Sequence, residues 1–131
     1  MCVIHPVKKQ VTVIYYKAMA EAKPSILFDD LSKVDLRIGC VIEIADVKTS
    51  EKLYVMTVDF GPLGIRTIYA GLRKHIPKRQ LKGKKFLFII NLPYRTMPGG
   101  ESQGMMFVIE QEHDLLLFPA PKGAKEGSGL V

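Results

Sequence analysis

The sequence predicts an all-β domain, built either as a small barrel or as a sandwich. Short apolar segments follow one another between glycine, proline and polar turns, and helical periodicity is scarce along the chain. A succession of strands without long helices is typical of these two architectures. The length of 131 residues fits one domain with a modest extension, because single domains usually run to about 100–150 residues.

The first strand carries the clearest pattern. From Val34 to Ile44 apolar residues alternate with polar or small ones, which is the period of a half-buried strand. Gly39 in its middle predicts a bulge or a bend, as a small closed barrel needs. Residues 1–25 differ in composition and are predicted to form an N-terminal extension, with the domain itself over residues 26–131.

The remaining strands follow at short intervals. A helical turn is predicted around Lys78 to Leu81, because the basic segment there lacks strand alternation. The last two strands are expected to form a hairpin across residues 111–114. The tail from Pro119 onward is expected to cap the domain or run along its surface. Further strands are predicted over Leu53–Asp59, Ile65–Ala70, Lys85–Leu92, Met105–Ile109 and Leu115–Phe118.

The sequence indicates a protein without catalysis, metal or cofactor. The two cysteines form no CxxC pair and the three histidines lie far apart, without the spacing of metal ligands. Gly61 to Gly64 is not followed by the Gly-Lys-Ser/Thr of a phosphate loop, and Ser102 lacks the glycine that precedes a nucleophile in an elbow motif. A reducing cytoplasm is the expected location, since the apolar run at 11–16 is too short for a secretory signal.

Positive charge is concentrated in one part of the chain. The formal net charge is +6, yet residues 61–100 contain no aspartate or glutamate. Such a segment creates a field that attracts polyanions, which predicts a nucleic-acid surface; a solvated face that keeps the protein soluble is the open alternative. The cations predicted to contact RNA are Arg73, Lys74, Lys78, Arg79, Lys82 and Arg95.

Apolar and aromatic residues near this segment allow two interpretations. Tyr54, Tyr69 and Tyr94 are candidates for stacking on unpaired bases, and equally for barrel positions with the hydroxyl at the rim. Met105 and Met106 are neighbours on a predicted strand, so only one of them can face the core.

Several ordered sequence pieces carry a family resemblance. These pieces are FDDLSKVDLRIGCV, SEKLYVMTVDFG, LKGKK, the strand end Asn91-Leu92, and GESQGM, all between Phe28 and Phe107. Together they resemble the tRNA-binding domain found free-standing in bacteria, at the C-terminus of methionyl-tRNA synthetases, and in eukaryotic synthetase cofactors. The resemblance implies a five-stranded oligonucleotide-binding-fold (OB-fold) Greek-key barrel. It also implies tRNA binding by shape, without catalysis, often as a homodimer and possibly beside a synthetase.

The resemblance also implies binding positions. If Ser102 is such a position, a bulky apolar residue in its place is expected to weaken tRNA binding and to leave the fold intact. Arg37 in the DLRIG strand is a further candidate, with a structural role as its alternative. The matching positions are Lys52, Asn91, Ser102, Gln103, Gly104 and Met105.

A second branch of the same resemblance remains an alternative. Where tRNA-binding relatives tend to read Asn-Leu-Lys-Pro, this chain reads Asn-Leu-Pro-Tyr from Asn91. That departure, together with DFGPLGI, is similar to the secretion-chaperone-like branch, which binds preproteins as a dimer. Because members of that branch usually lack ESQGM, tRNA is the favoured ligand. The apolar segment VTVIYY at 11–16 also suggests a homodimer.

Overall fold

The protein forms a nearly closed five-stranded antiparallel barrel, which confirms the predicted fold class. A computed structural model describes residues 21–131, and the strand order in its main sheet is β3-β2-β1-β4-β7. The outer strands β3 and β7 lie beside each other and bring the sheet round on itself. These strands are β1 (Leu36–Asp46), β2 (Tyr54–Asp59), β3 (Ile65–Ala70), β4 (Lys85–Ile89) and β7 (Met105–Met106).

Smaller elements decorate the barrel. Two hairpins consist of β5 with β6 and of β8 with β9. The predicted helical turn is confirmed as a 3₁₀ turn at Lys78–Gln80. No helix of residues 21–131 is long and apolar enough to cross a membrane. The remaining bounds are α1 (Phe28–Ser32), β5 (Arg95–Met97), β6 (Gly100–Ser102), β8 (Val108–Gln111), β9 (Asp114–Leu117) and a second 3₁₀ turn (Gly61–Leu63).

Strand β1 is shared between two neighbours, and this sharing curls the sheet. Its first half pairs with β4 and its second half with β2, and the register shifts between Val41 and Glu43. The register shift places the bulge between Val41 and Glu43, beyond Gly39. A Cβ at Gly39 would lie 2.6 Å from Cγ1 of Val58 and 2.7 Å from a ring carbon of Phe60. Glycine is needed there because two core side chains pack directly on the backbone.

Large apolar side chains fill the barrel interior. The rings of Phe60 and Phe88 meet edge to face with their centroids 5.3 Å apart, a favourable arrangement for aromatic quadrupoles. Met56 and Ile68 are fully buried beside them. Small barrels are closed to ligands by such a core, so any binding must use the outer surface.

Three local expectations differ from the structure. Strand β4 ends at Ile89 rather than at Leu92, and the hairpin β5–β6 lies in the stretch before β7, where no strand is predicted. The strand predicted over Met105–Ile109 is divided, because β7 pairs with β4 whereas β8 pairs with β9. Helix α1 was not predicted. The segment VTVIYY lies outside the described residues.

The C-terminal tail is attached to the barrel, as predicted. The amide of Ile38 donates to the carbonyl oxygen of Ser128 at 2.9 Å, and Leu130 donates to Leu36 at 3.1 Å. The tail thus continues along the free part of β1.

Candidate nucleic-acid interface

Side chains close the barrel where strand pairing between β3 and the β6–β7 segment is incomplete. The amide of Tyr69 donates to Oγ of Ser102 at 3.0 Å, and that hydroxyl donates to the Gly104 carbonyl oxygen at 3.0 Å. The amide of Thr67 donates to Oε1 of Gln103 at 2.8 Å, while the amide of Gln103 donates back to the Thr67 oxygen at 2.8 Å. Ser102 and Gln103 therefore act as strand partners, and we call this contact the seam.

Arg66 supports the seam from β3. Its guanidinium donates to the carbonyl oxygens of Ile90 at 2.6 Å and Gln103 at 2.9 Å. These carbonyls lie outside regular strand pairing and would otherwise lack a donor from the sheet. Met105 is 45% exposed and Met106 only 6%, which confirms that one of the two faces outward.

Beside the seam lies a small hollow, which we call the cup. Its volume is about 180 Å³, and the hairpin β5–β6 forms one of its walls. A Cβ at Gly100 would lie 3.0 Å from the Tyr69 hydroxyl, so the hairpin sits close against that side chain. The residues that line the cup are Tyr69, Leu92, Pro93, Arg95, Met97, Ser102, Gly104 and Met105.

Two further hollows continue from the cup along the same face. The central cleft, about 300 Å³, shares Tyr69 and Met105 with the cup and contains one carboxylate, Glu110. The basic pocket, about 510 Å³, shares Gly71 with the central cleft. The basic pocket is lined by Ser50, Lys52, Leu53, Gly71, Lys74 and His75. We call the three together the groove.

The groove has cations towards both ends and a mostly apolar middle, in which Glu110 is the one charged lining residue of the described part of the chain. Arg95 stands in the cup, and Lys52 and Lys74 stand in the basic pocket. The loop between β1 and β2 supplies Lys52, the segment between β3 and β4 supplies Lys74, and the segment between β4 and β7 supplies Arg95. OB-fold barrels bind oligonucleotides and oligosaccharides through the corresponding loops and the face of strands 2 and 3. The arrangement suits an anionic chain that carries flat or apolar groups.

Three of the six predicted cations, Arg73, Lys78 and Lys82, face carboxylates of β1. Nζ of Lys78 lies 2.9 Å from a carboxylate oxygen of Asp46, and the Arg73 guanidinium lies 3.4 Å from the other oxygen. The hydrogen bond from Lys78 holds the pKa of Asp46 below its ordinary value. Lys82 pairs with Glu43 at 3.5 Å. The segment that lacks acidic residues in the sequence is therefore partly neutralised in space by β1.

Not every predicted cation is held in this way. Lys74 makes only a long contact of 3.9 Å with the highly exposed Glu51. Within residues 21–131, Lys52, Arg79 and Arg95 form no ion pair. Water screens an exposed pair strongly, so these four cations remain available to an anionic ligand.

Two of the candidate residues make structural contacts away from the groove lining. Arg37 donates to Asp35 at 2.6 Å and to the Gly127 carbonyl oxygen at 3.1 Å, which fixes the C-terminal tail. Asn91 donates to the Lys33 carbonyl oxygen at 2.5 Å and accepts from the Asp35 amide at 2.9 Å. Both side chains connect the start of β1 to neighbouring segments.

The three tyrosines have different surroundings. Tyr54 is 4% exposed and its hydroxyl donates to the Ile76 carbonyl oxygen at 2.8 Å, so stacking of Tyr54 on a base is wrong. Tyr69 lines both the cup and the central cleft. Tyr94 is 51% exposed beside Arg66, whose guanidinium carbon is 6.0 Å from the ring centroid, and it lies outside the groove lining.

Sequence reasoning missed the apolar wall of the cup. Pro93 and Met97 are not among the predicted contacts, because no strand is predicted between Leu92 and Met105, where the hairpin positions them. A signal for it was present. Pro98-Gly99-Gly100 is a strong turn sequence between two short segments, and such a turn between extended segments is typical of a hairpin.

Comparison with known proteins gives a consistent family assignment. Residues 36–129 match the model of the putative tRNA binding domain. The chain is 38% identical over 110 residues to the methionine–tRNA ligase of Leptospira interrogans, covering 84% of this chain and 15% of that protein. It is 42% identical over 97 residues to the ligase of Porphyromonas gingivalis, covering 72% of this chain and 14% of that protein. The chain thus spans a small part of these relatives.

Solved structures agree with the sequence comparison. A methionyl-tRNA synthetase-related protein from Pyrococcus horikoshii superposes with a TM-score of 0.79 at 34% identity, over 83% of this chain and all of that one. The CsaA chaperone protein from Picrophilus torridus superposes with a TM-score of 0.75 at 25% identity, over 82% of this chain and all of that one.

Proposed function

From the finding that the chain belongs to the putative tRNA-binding domain family, we propose that it binds tRNA without catalysing a reaction. The observation that carries this proposal is the groove, in which the mostly apolar central cleft lies between cations at the cup and in the basic pocket. A polyanion with bases exposed along part of its length fits both features.

Affinity is expected to come mainly from phosphates. Lys52, Lys74 and Arg95 can each release a counterion by neutralising a phosphate, and this term carries little sequence information. The protein then selects structured RNA by shape. The RNA backbone must reach both ends of the groove while its unpaired bases contact the central cleft.

The site of action and the partners follow from the same proposal. A tRNA-binding protein acts where tRNA is used, so we place it in the cytoplasm. Similarity to methionine–tRNA ligases supports assistance to a synthetase of that type. A homodimer is supported by the apolar side chains exposed around α1, of which Ile26, Leu27 and Phe28 are 68%, 72% and 82% exposed.

A titration of bulk tRNA at several salt concentrations tests the proposal. The logarithm of the binding constant should fall linearly with log salt, by roughly 0.9 for each duplex phosphate that is neutralised. Lys52→Gln should weaken binding. It should also reduce the steepness of that slope by about 0.9, the contribution of one phosphate contact. Lys122→Gln makes the same charge change on the tail, outside the groove lining, and is the matched control. Absence of binding at low salt, or binding that ignores salt, would refute the proposal.

A peptide-binding dimer is the second candidate. The observation in its favour is the superposition on a chaperone protein, together with Pro93 and Leu92 in the wall of the cup. An apolar peptide would bind with weak salt dependence, because few charges would be neutralised. The same salt series with an unfolded preprotein segment as ligand separates the two functions.

A further inference from the structure

The cup has dimensions that restrict its ligand. Its volume of about 180 Å³ is smaller than the ~300–1,000 Å³ of pockets that enclose drug-sized molecules. One flat ring system fits such a space, whereas a base pair or a folded chain does not. The cup is bounded on one side by the barrel residues Tyr69 and Met105 and on the other by the hairpin residue Met97.

The chemistry of its walls selects among small ring systems. An aromatic ring, two thioethers and Pro93 offer the apolar contact that a planar π-system prefers. Arg95 is exposed at the hairpin, and no carboxylate of residues 21–131 pairs with it. A flat ring joined to an anionic group therefore matches both parts of the cup.

The neighbouring hollows extend this match beyond one ring. The central cleft shares Tyr69 and Met105 with the cup, and it leads to the basic pocket with Lys52 and Lys74. A ligand whose ring enters the cup can therefore continue as a chain of negative charges towards the basic pocket. An apolar peptide would leave these cations without partners, so the charge pattern favours a nucleic acid strand.

We propose that the cup holds one unpaired nucleobase of the bound tRNA, stacked on Tyr69, with its phosphate on Arg95. This inference rests on the proposed function and adds the form of the ligand. Bases within a duplex are stacked and cannot enter, so the RNA must present a splayed base at this place. The Ser102 hydroxyl already donates to Gly104 and accepts from Tyr69, so few polar groups remain for recognition. The cup is thus expected to accept different bases.

Substitution of Tyr69 in the full chain tests the stack. Tyr69→Leu should weaken tRNA binding roughly ten- to hundred-fold, as loss of base–aromatic stacking does elsewhere. The salt slope should stay unchanged, because no cation is removed. Tyr69→Phe keeps the ring and should therefore weaken binding far less than Tyr69→Leu does. Tyr94→Leu makes the same change on an exposed tyrosine outside the groove lining and should leave affinity unaltered.

A second variant fills the cup from the hairpin. Met97→Trp should weaken tRNA binding to a similar extent, again with an unchanged slope, because the indole would occupy the space of the base. Met97 belongs to the small sheet of β5 and β6 rather than to the barrel, so this variant decides the question if Tyr69→Leu fails to fold. Far-UV circular dichroism and thermal unfolding establish the folded state of each variant.

The outcomes separate the inference from the proposed function. If the unmodified protein binds tRNA and both cup variants bind equally well, the cup is empty in the complex and the inference fails while the function stands. A parallel loss in Tyr94→Leu would assign the effect to surface aromatics in general and would also overturn it. If an apolar peptide displaces bound tRNA and single-stranded RNA does not, the cup binds a protein ligand and the inference is wrong. If the unmodified protein does not bind tRNA, the proposed function itself fails.

Discussion

Ser102 combines a position in the cup with a position in the seam. Sequence resemblance marks it as a ligand contact, yet its side chain is buried and satisfies the Tyr69 amide. A bulky apolar residue at 102 would leave the Tyr69 amide and the Gly104 carbonyl oxygen without their partner, so we expect it to destabilise the fold as well as to weaken binding. Alternation along a strand predicts which side chains face inward, as it did for Met105 and Met106. It does not predict which distant amide a hydroxyl will meet.

Removal of the Ser102 hydroxyl should destabilise the protein. Ser102→Ala leaves the Tyr69 amide and the Gly104 carbonyl without their partner, and an unsatisfied buried group costs about 1–3 kcal/mol. Urea unfolding should show a lower midpoint with an unchanged m-value. Ser50→Ala is the control, because its hydroxyl accepts from Lys52 at an exposed turn. Equal midpoints for the two variants would contradict the role of the seam.

Carboxylates of strand β1 neutralise part of the positive charge on the segment after β3. The carboxylates Glu43 and Asp46 pair with cations that lie 27 to 39 residues later in the sequence, at Arg73, Lys78 and Lys82. The sequence predicts the cations themselves and the turn that carries them, because composition and the loss of alternation are local properties. It does not predict their neutralisation, which depends on how the segment after β3 folds back against the end of β1.

Asp46→Asn should strengthen tRNA binding. The substitution releases Arg73 and Lys78 from a carboxylate whose pKa they lower, so it remains charged at neutral pH. Affinity at low salt should rise severalfold, and the salt slope should steepen by up to ~0.9 for each released cation that reaches a phosphate. Glu112→Gln removes one charge at the β8–β9 turn and serves as the control. If tRNA affinity rises equally in both variants, the effect comes from net charge alone and not from the release of Arg73 and Lys78.

The hairpin β5–β6 is an element that the alternation of apolar and polar residues does not predict. Each of its strands has three residues, too few for alternation to identify. The longer strand β1 is predictable because its apolar and polar or small residues alternate from Val34 to Ile44. The cup depends on the short element, so the binding surface was less predictable than the barrel that supports it.

The whole molecule places its groove and its apolar N-terminal side on different elements. The groove is built from the β1–β2 loop, the end of β3 and the segment after it, the β4–β7 segment, and strands β8 and β9. The exposed side chains of Ile26, Leu27 and Phe28 belong to α1 and the residues just before it, which line none of the three hollows of the groove. A dimer formed through α1 would bury side chains that do not line the groove, and two linked grooves could bind one RNA more tightly than either alone.

Phe28→Ser should dissociate the proposed homodimer. Full burial of a phenylalanine contributes about 1.5–3 kcal/mol, and a two-fold interface contains the residue twice, so the loss is roughly 3–6 kcal/mol. Because each 1.4 kcal/mol is about tenfold, the dimer dissociation constant should rise roughly a hundredfold or more. Sedimentation equilibrium over a range of concentrations measures it, and Leu63→Ser, which removes a 44% exposed side chain from the 3₁₀ turn Gly61–Leu63, is the control. A monomeric unmodified chain would exclude the dimer, whereas equal dissociation constants for the two variants would move the interface away from α1.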